Sequence, residues 1–599
     1  MQNLYYMNHH HHHHHTEESQ EPNIPQEPLD KTWFKMPIEY LDNSVIHNLS
    51  PTVASDLELA PTMYSTLIQP TNELTVSIID RIKLHYTSDS EFLCQSQEII
   101  KTVGNNSYKC VDDDGAKKLL QVWRDLYQNS NTFFDRYGYI DFEQIRFINK
   151  TSTFMGYWTI MNLISPVFSI ILPFLFIIAP FVILRIKSVP ITFPTYIDLL
   201  KDLAKSHAIG KTLTSFENFS INNFIYVVFT IAMYGLQMYQ NCRHCMRFYQ
   251  NITTINENLL TVKDFVDVSI ANINTFLTTS KTKSKYSDFC KDAEHQLSVL
   301  KQMQQDLCSV EKFEASVLNV AKKCFDIGYL LKSYYCLYDN AEYKHALSYA
   351  ISFDAYVATL SGIANRVHTG VVNYGTIKNS GPTQFCKQVY PSLVDGDGAI
   401  SNNLCLKKNM VITGPNASGK TTQLKTAAIN VIFTQQFGVG FYEACELVPY
   451  THIHSYLNIP DTSGRDSLFQ AEARRCKEII DIIQDSDVLG ARHFCIFDEL
   501  FSGTNAEEAT GASYSFLKYL QKYSNVDFIL TTHFVKLCKR VKNSGAGLRI
   551  SNYKMDAIFD ASSNNIKFTY KLVGGISKIK AAKLILIQMG FPDEIIRGL

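Results

Sequence analysis

From about Leu29 to Lys150 apolar residues recur at three- and four-residue spacing, as in "NELTVSIIDRIKLHYTSDSEFLCQSQEIIKTV", which predicts amphipathic helices. The pattern then changes. No charged residue occurs from Thr151 to Leu184, and Leu163 to Leu184 reads "LISPVFSIILPFLFIIAPFVIL". These 22 mainly apolar residues are long enough to cross a bilayer core as a helix. A shorter apolar run, "FIYVVFTIAMYGLQM", covers Phe224 to Met238. Arg185 and Lys187 follow the first run, and Arg243 and Arg247 follow the second. Pro166, Pro173 and Pro180 would break or kink a helix in water. Membrane helices tolerate proline better, because neighbouring groups re-satisfy the freed backbone. Two expectations follow: a transmembrane hairpin within residues 151–250, or an apolar helix pair buried in a large core.

Mixed-charge helices return from about Asn251 to Tyr374, as in "DFCKDAEHQLSVLKQMQQDLCSVEKFEASVLNVAKKC". Gly, Pro, Asp and Asn become frequent between Gly381 and Asn403. Beyond them strand, loop and helix patterns repeat, which implies a parallel sheet with helices on its faces. The expected organisation is a disordered His-rich tail (1–28), a helical core region (29–150), the hydrophobic hairpin (151–250), a helical lever (251–380) and an α/β domain (381–599).

Length and charge narrow the function classes. At 599 residues the chain is too long for one core. With a formal net charge of −1 there is no global basic field to draw it to nucleic acid, so any DNA contact must come from local patches. The 14 cysteines are dispersed, and their single close pair is Cys242 and Cys245, which without a second pair is a weak zinc signal. Scattered cysteines without a signal peptide suggest an intracellular, reducing setting. His9 to His15 form a run that reads equally as an expression tag or a native low-complexity tail.

The candidate chemistry lies in the last third. Gly414, Pro415, Asn416, Ala417, Ser418, Gly419, Lys420 and Thr421 satisfy G-x-x-x-x-G-K-[ST], after an apolar strand at Met410 to Thr413 and before a helix opening at about Thr421. Backbone N–H groups in such a loop close around phosphate oxygens, and the helix N-terminus adds partial positive charge. Lys420 would reach the β- and γ-phosphates, and the Thr421 hydroxyl would bind Mg²⁺. "HFCIFDELFSGTN" is an apolar strand ending in Asp498 and Glu499. Asp498 can hold Mg²⁺ and Glu499 can polarise an attacking water. "VDFILTTHF" is a further strand ending at His533, which can sense the γ-phosphate or the water. The expected activity is Mg²⁺-dependent ATP hydrolysis.

Together these motifs resemble the ATPase domain of the MutS family of DNA mismatch-repair proteins. "TGPNASGKTT", which includes Thr422, resembles the family's TGPN-x-x-GK-[ST]-T loop. "DELFSGTNAEEATGAS" resembles its DE-x-x-x-GT-[SN] signature through Gly503, Thr504 and Asn505. "SGRDSLFQAEARR" resembles its S-x-F-x-x-E segment through Ser467, Phe469 and Glu472. "YKLVGGISKIKAAKLILIQMGFPDEII" resembles its closing helix, and "ISFDAYVATLSGIA" the helix that leads into the ATPase domain. The resemblance implies an α-helical core and lever followed by an ABC-type P-loop NTPase over 381–599. It also implies a homodimer in which Ser502, Gly503, Thr504 and Asn505 complete the ATP site of the other subunit, and DNA as partner.

Two departures stand out. The F-x-E wedge motif of the mismatch-reading domain is absent, and the apolar stretch occupies the place of the family's DNA clamp, which needs lysines and arginines. Three functions are therefore carried forward. One is a DNA-binding, ATP-controlled dimer in mismatch repair or recombination, with Lys536, Lys539, Arg540 and Lys542 as candidate contacts or a merely solvated helix face. Another is a membrane-associated MutS-like ATPase that moves a hydrophobic hairpin, 163–184 with 224–238, and does not recognise mismatches. The last is a scaffold that only binds ATP, which the Asp498–Glu499 pair argues against.

Overall fold

The computed structural model describes residues 32–598, apart from 129–131, 205–220, 314–319, 397, 458, 460–466, 487–489, 561–564, 580–582, 584–585 and 588. The histidine run and the expected tail over 1–28 lie outside the described residues.

The N-terminal region is helical, as its apolar spacing predicts. Helix α1 (Glu73–Ile82) starts at Asn72, whose Oδ1 accepts from the Thr75 N–H at 2.9 Å. Helix α2 (Ser90–Asn105) starts at Asp89, which accepts from the Phe92 N–H at 2.9 Å. Each cap satisfies a first-turn donor that has no helical partner. Between the two helices sits half of an element that the helical reading missed: Ile46–Asn48 pairs antiparallel with His85–Thr87. Strands of three residues are too short to show a period of two.

Five long helices follow: α3 (Ser152–Ile186), α4 (Ile221–Ser280), α5 (Ser287–Leu307), α6 (Val320–Asp339) and α7 (Ala341–His368). Helix α4 runs unbroken for 60 residues, so the expected division at residue 250 falls inside one rod. It contains no proline and only Gly235, so nothing in it stops a helix. Helix α3 is rooted against α6 at two glycines. A Cβ on Gly156 would lie 2.4 Å from Phe325 Cδ1, and one on Gly328 would lie 2.4 Å from the Gly156 nitrogen. The backbones touch there, which only glycine allows. Helix α7 is buried along most of its length, packed by α1, α2 and α5.

The C-terminal part is built on a six-stranded sheet of β1 (Asn409–Thr413), β2 (His452–Tyr456), β3 (His493–Asp498), β4 (Val526–Thr532), β5 (Ile550–Asp560) and β6 (Asn565–Gly574). The order is β2-β3-β4-β1-β5-β6, with the first five parallel and β6 antiparallel at the edge. The segment expected as a closing helix instead begins on a strand: Tyr570, Lys571 and Leu572 are on β6, and the short helix Asp593–Arg597 lies beyond it. Helix α8 (Lys420–Phe437) follows β1 and is buried on all sides, between the sheet and the N-terminal helices. Its amides are satisfied in that position. Gln435 donates to the carbonyls of Thr87 and Tyr450, and Gln436 to those of Ile82 and His85, at 2.8–3.0 Å. One apolar core therefore runs from the N-terminal helices through α8 to the sheet, with a second cluster on the sheet's other face.

The middle of the α3–α4 pair is outside both clusters. Phe168, Phe174, Phe224 and Phe229 are all more than half exposed. The expectation that this run is ordinary core is therefore not met within this chain.

Candidate functional site: a phosphate-binding loop with two carboxylates

The three motifs meet at the C-terminal ends of β1, β3 and β4, three adjacent strands of the sheet. Strand β1 is buried at every position, and the chain turns from it through Gly414–Gly419 into α8. Gly419 has φ 92°, a conformation open to glycine, and Ala417 takes φ 62°. A Cβ on Gly414 would lie 2.6 Å from Ser418 Oγ, so the loop is tightly wound. The Ser418 hydroxyl and Gln423 Oε1 are buried without a protein partner. Buried polar atoms of that kind call for a partner from outside the chain.

Lys420 is almost fully buried. Its ammonium donates to the carbonyls of Gly414 at 3.0 Å and Pro415 at 3.1 Å, and lies 3.9 Å from Glu499 Oε1. Burial lowers its pKa, and the charges of Glu499 and Asp498 oppose that shift. Thr421 Oγ1 donates to Asp498 Oδ2 at 2.9 Å, and Thr531 also donates to Asp498. A hydroxyl and a carboxylate, from different strand ends, thus share one point beside the loop. Such oxygen donors suit Mg²⁺.

Glu499 follows Asp498 with φ 51°, and Phe501 follows with φ 58°. Left-handed backbone at non-glycine residues costs about 1–3 kcal/mol each and clusters at functional sites. His533, just past β4, brings its Nδ1 to 3.6 Å from Glu499 Oε1. That proximity holds the Glu499 carboxyl below its usual range, against the opposing effect of partial burial.

The cavity beside these groups has a volume of about 650 Å³. Asn416, Ala417, Gly419, Lys420, Thr421, Thr422, Asp498 and Glu499 are in its lining. Tyr390, Leu393, Ile400 and Tyr570, which were not among the expected site residues, also line it, and Tyr570 lies against the loop itself, its ring 3.2 Å from where a Cβ on Gly419 would be. They come from a segment before β1 and from β6, so no local pattern joins them. Aromatic and aliphatic side chains in the lining suit the flat face of a nucleobase.

Ser502, Gly503, Thr504 and Asn505 are not part of this lining. Their anchor is Glu472 on α9 (Leu468–Asp485), a buried carboxylate. It accepts from the Ser502 N–H at 3.0 Å, the Ser502 hydroxyl at 2.8 Å and the Gly503 N–H at 3.1 Å. A Cβ on Gly503 would lie 2.8 Å from the Phe469 nitrogen, so the S-x-F-x-x-E segment and the glycine form one contact. Asn505 caps α10 (Ala506–Leu520), its Oδ1 accepting from the Glu508 N–H at 2.9 Å. Ser502, Gly503 and Asn505 are exposed.

The remaining candidates lie elsewhere. Lys536, Lys539, Arg540 and Lys542 form the exposed face of α11 (Val535–Asn543), opposite buried Leu537, Cys538 and Val541. Cys242 and Cys245 share α4, and among the described residues no group of three or more His, Cys, Asp or Glu side chains could hold a metal ion.

Comparison with known proteins matches residues 410–598 to the family described as MutS domain V. "Endonuclease MutS2" of Staphylococcus epidermidis (strain ATCC 12228) is 26% identical over 231 residues, which cover 37% of this chain and 28% of that protein. "Endonuclease MutS2" of Bacillus cereus (strain Q1) is 27% identical over 218 residues, 35% of this chain and 26% of that protein. "MutS protein homolog 4" of Mus musculus is 25% identical over 319 residues, 51% of this chain and 30% of that protein. The aligned parts span less than a third of these relatives' own length.

Proposed function

The chain belongs to the MutS family through its domain V, and from that premise we propose that it is a Mg²⁺-dependent ATPase working as an ATP-controlled homodimer. The observation that carries the proposal is the meeting of Lys420, Thr421, Asp498 and Glu499 in the lining of one nucleotide-sized cavity. The backbone of Gly414 to Thr422 binds the phosphates, and Lys420 exchanges its loop carbonyls for phosphate oxygens. Thr421 and Asp498 hold Mg²⁺, which when bound neutralises charge on the β- and γ-phosphates. Glu499 takes the proton of the attacking water, and His533 orients Glu499 and senses the γ-phosphate. Tyr390 and Tyr570 receive the base. Ser502 to Asn505, held outward by Glu472, act on the nucleotide of the second subunit.

DNA is the partner that family membership supports, with the basic face of α11 as the contact in this chain. Mismatch recognition is the narrower form of that reading. A second reading, a membrane-attached MutS-like ATPase that does not recognise mismatches, is favoured by one observation: the exposed apolar α3–α4 pair.

Glu499→Gln tests the core of the proposal. The amide keeps the shape of the side chain and loses its basicity. Turnover should fall by about a hundredfold or more, while ATP affinity stays within about twofold. Hydrolysis by this variant at the parental rate would refute Glu499 as the base.

A further inference from the structure

The exposed part of the α3–α4 pair carries an inference about topology, which rests on the second reading above. The two helices are antiparallel in a fixed register. Asn241 Nδ2 donates to Ser169 Oγ at 2.5 Å, Tyr234 donates its hydroxyl hydrogen to the Ser169 carbonyl at 3.0 Å, and Cys245 Sγ lies 4.0 Å from the Leu163 carbonyl. Residue 165 of α3 is therefore level with about Arg243 of α4, and Arg185 with about Asn222. Between those levels neither helix carries a charge: Ser165 to Leu184 on one, Ile221 to Cys242 on the other. At 1.5 Å per residue this shared band is about 30 Å tall, the thickness of a bilayer's hydrocarbon core. Cations close it at both ends, Arg185 and Lys187 at the turn and Arg243 and Arg247 towards the core.

Three further observations separate lipid from a protein partner. Exposed apolar side chains cover more than one stripe: at 100° per residue, Ile170, Ile171, Ile178, Val182 and Ile183 spread over about 220° of α3, and Ile225, Val228, Phe229, Ile231 and Met233 over about 200° of α4. A partner helix or groove would need a single stripe, whereas a helix apolar all round is a buried or a membrane helix. Secondly, Pro173 has no N–H for the Ser169 carbonyl four residues earlier, and Tyr234 of the other helix supplies that donor. This is how proline is accommodated where water is absent. Thirdly, Tyr239 lies at the band's inner edge with the Arg243 guanidinium 5.8 Å from its ring, an aromatic–basic pair suited to the headgroup level. At the outer edge the helix Phe193–Ala204 packs Phe193 and Tyr196 on Phe181 at 5.1–5.2 Å.

The geometry points to a two-pass transmembrane hairpin: Ser165–Leu184 and Ile221–Cys242 cross a phospholipid bilayer. The ATPase body, to which both inner ends connect, stays on one side, and the turn at Ser188 reaches the other. The Gly156–Gly328 crossing fixes the hairpin to α6, so it moves with the helical body.

Protease accessibility decides this. The 599-residue chain is reconstituted in sealed phosphatidylcholine–phosphatidylserine vesicles with one cleavage site for a site-specific protease, after Val189 or after Ser380. Both insertion variants are used at parental ATPase rates. The Ser380 site, on an exposed loop of the ATPase body, should be cut without detergent in the outward-facing molecules. The Val189 site should survive in that same fraction until detergent is added. A carbonate-resistant protein whose Val189 site is cut beforehand would overturn the two-pass topology and leave membrane attachment standing. A protein that stays in solution without vesicles or detergent would overturn both, and self-association by light scattering would then identify a second copy as the cover. As an independent check, Phe174→Arg with Ile178→Arg should shift the protein from the carbonate-washed pellet to the supernatant with ATPase activity retained. Full retention in the pellet would overturn the crossing.

Discussion

Replacing Glu472 by glutamine isolates the side chain that holds the Ser502–Asn505 loop. The carboxylate is 2% exposed, and it accepts two hydrogen bonds from Ser502 at one oxygen and one from the Gly503 N–H at the other. The glutamine carbonyl can keep one side of this arrangement. Its NH₂ then faces a donor, so one charge-assisted bond is lost and one N–H is left without an acceptor. At roughly 1.5–3 kcal/mol for the bond and 1–3 kcal/mol for the stranded group, partly relieved by rotation of an exposed loop, the loop position loses about 2–4 kcal/mol. Each 1.36 kcal/mol is a factor of ten, so the fraction of loops in place falls by about 30- to 1000-fold. Because these residues are absent from the lining of the phosphate cavity, ATP affinity of the protomer should be unchanged. Steady-state turnover and equilibrium binding of a fluorescent ATP analogue separate the two effects. Parental turnover in Glu472→Gln, alongside an inactive Asn505→Ala, would refute the argument that this carboxylate positions the loop. An equal loss of affinity and turnover would instead show a general disturbance of the domain.

Lys420→Ala should remove most ATP affinity, since the buried loop loses its one ammonium; calorimetric titration with ATP and Mg²⁺ reads this directly. Mixing Lys420→Ala with Asn505→Ala subunits, each inactive alone, should restore up to one working site per heterodimer. No recovery, with heterodimers shown to form, would count against completion of the site across the dimer. Asp354 on α7 is buried with the Val111 N–H as donor at 3.2 Å, and burial pushes its carboxyl up to about 7. Between pH 4 and 7 the folded state holds a proton that the unfolded chain has released, so this group's contribution to stability falls as pH rises through that window and levels off above it, by roughly 4 kcal/mol at most. Thermal melts of Asp354→Asn from pH 4.5 to 8 should lack that decline; a parallel pH profile would refute the assignment.

Some of this was legible in the residues alone. The phosphate loop, the Asp498–Glu499 pair at a strand end and the helical segments depend on contacts between residues near one another in the chain, and a local window contains that information. The apolar run was equally plain, but its periodicity suits a buried helix and a membrane helix alike. Its exposure became clear only once the remaining helices had closed their own core without it. The family signature marked Glu472 without explaining it. Its role emerges where α9 packs beneath a loop 30 residues further on and places one carboxylate against two backbone donors. Tyr390 and Tyr570 line the same cavity because the segment before β1 is tied to the edge strand β6, where Asn402 donates to the Tyr570 carbonyl and accepts from the Leu572 N–H. Residues 180 positions apart share no pattern that a window could hold. The register of α3 on α4, and with it the coincidence of two uncharged bands, is likewise a property of the pair. Such placements are decided by which burial satisfies every polar group and fills every gap at once, a condition on the whole chain that no stretch of it carries alone.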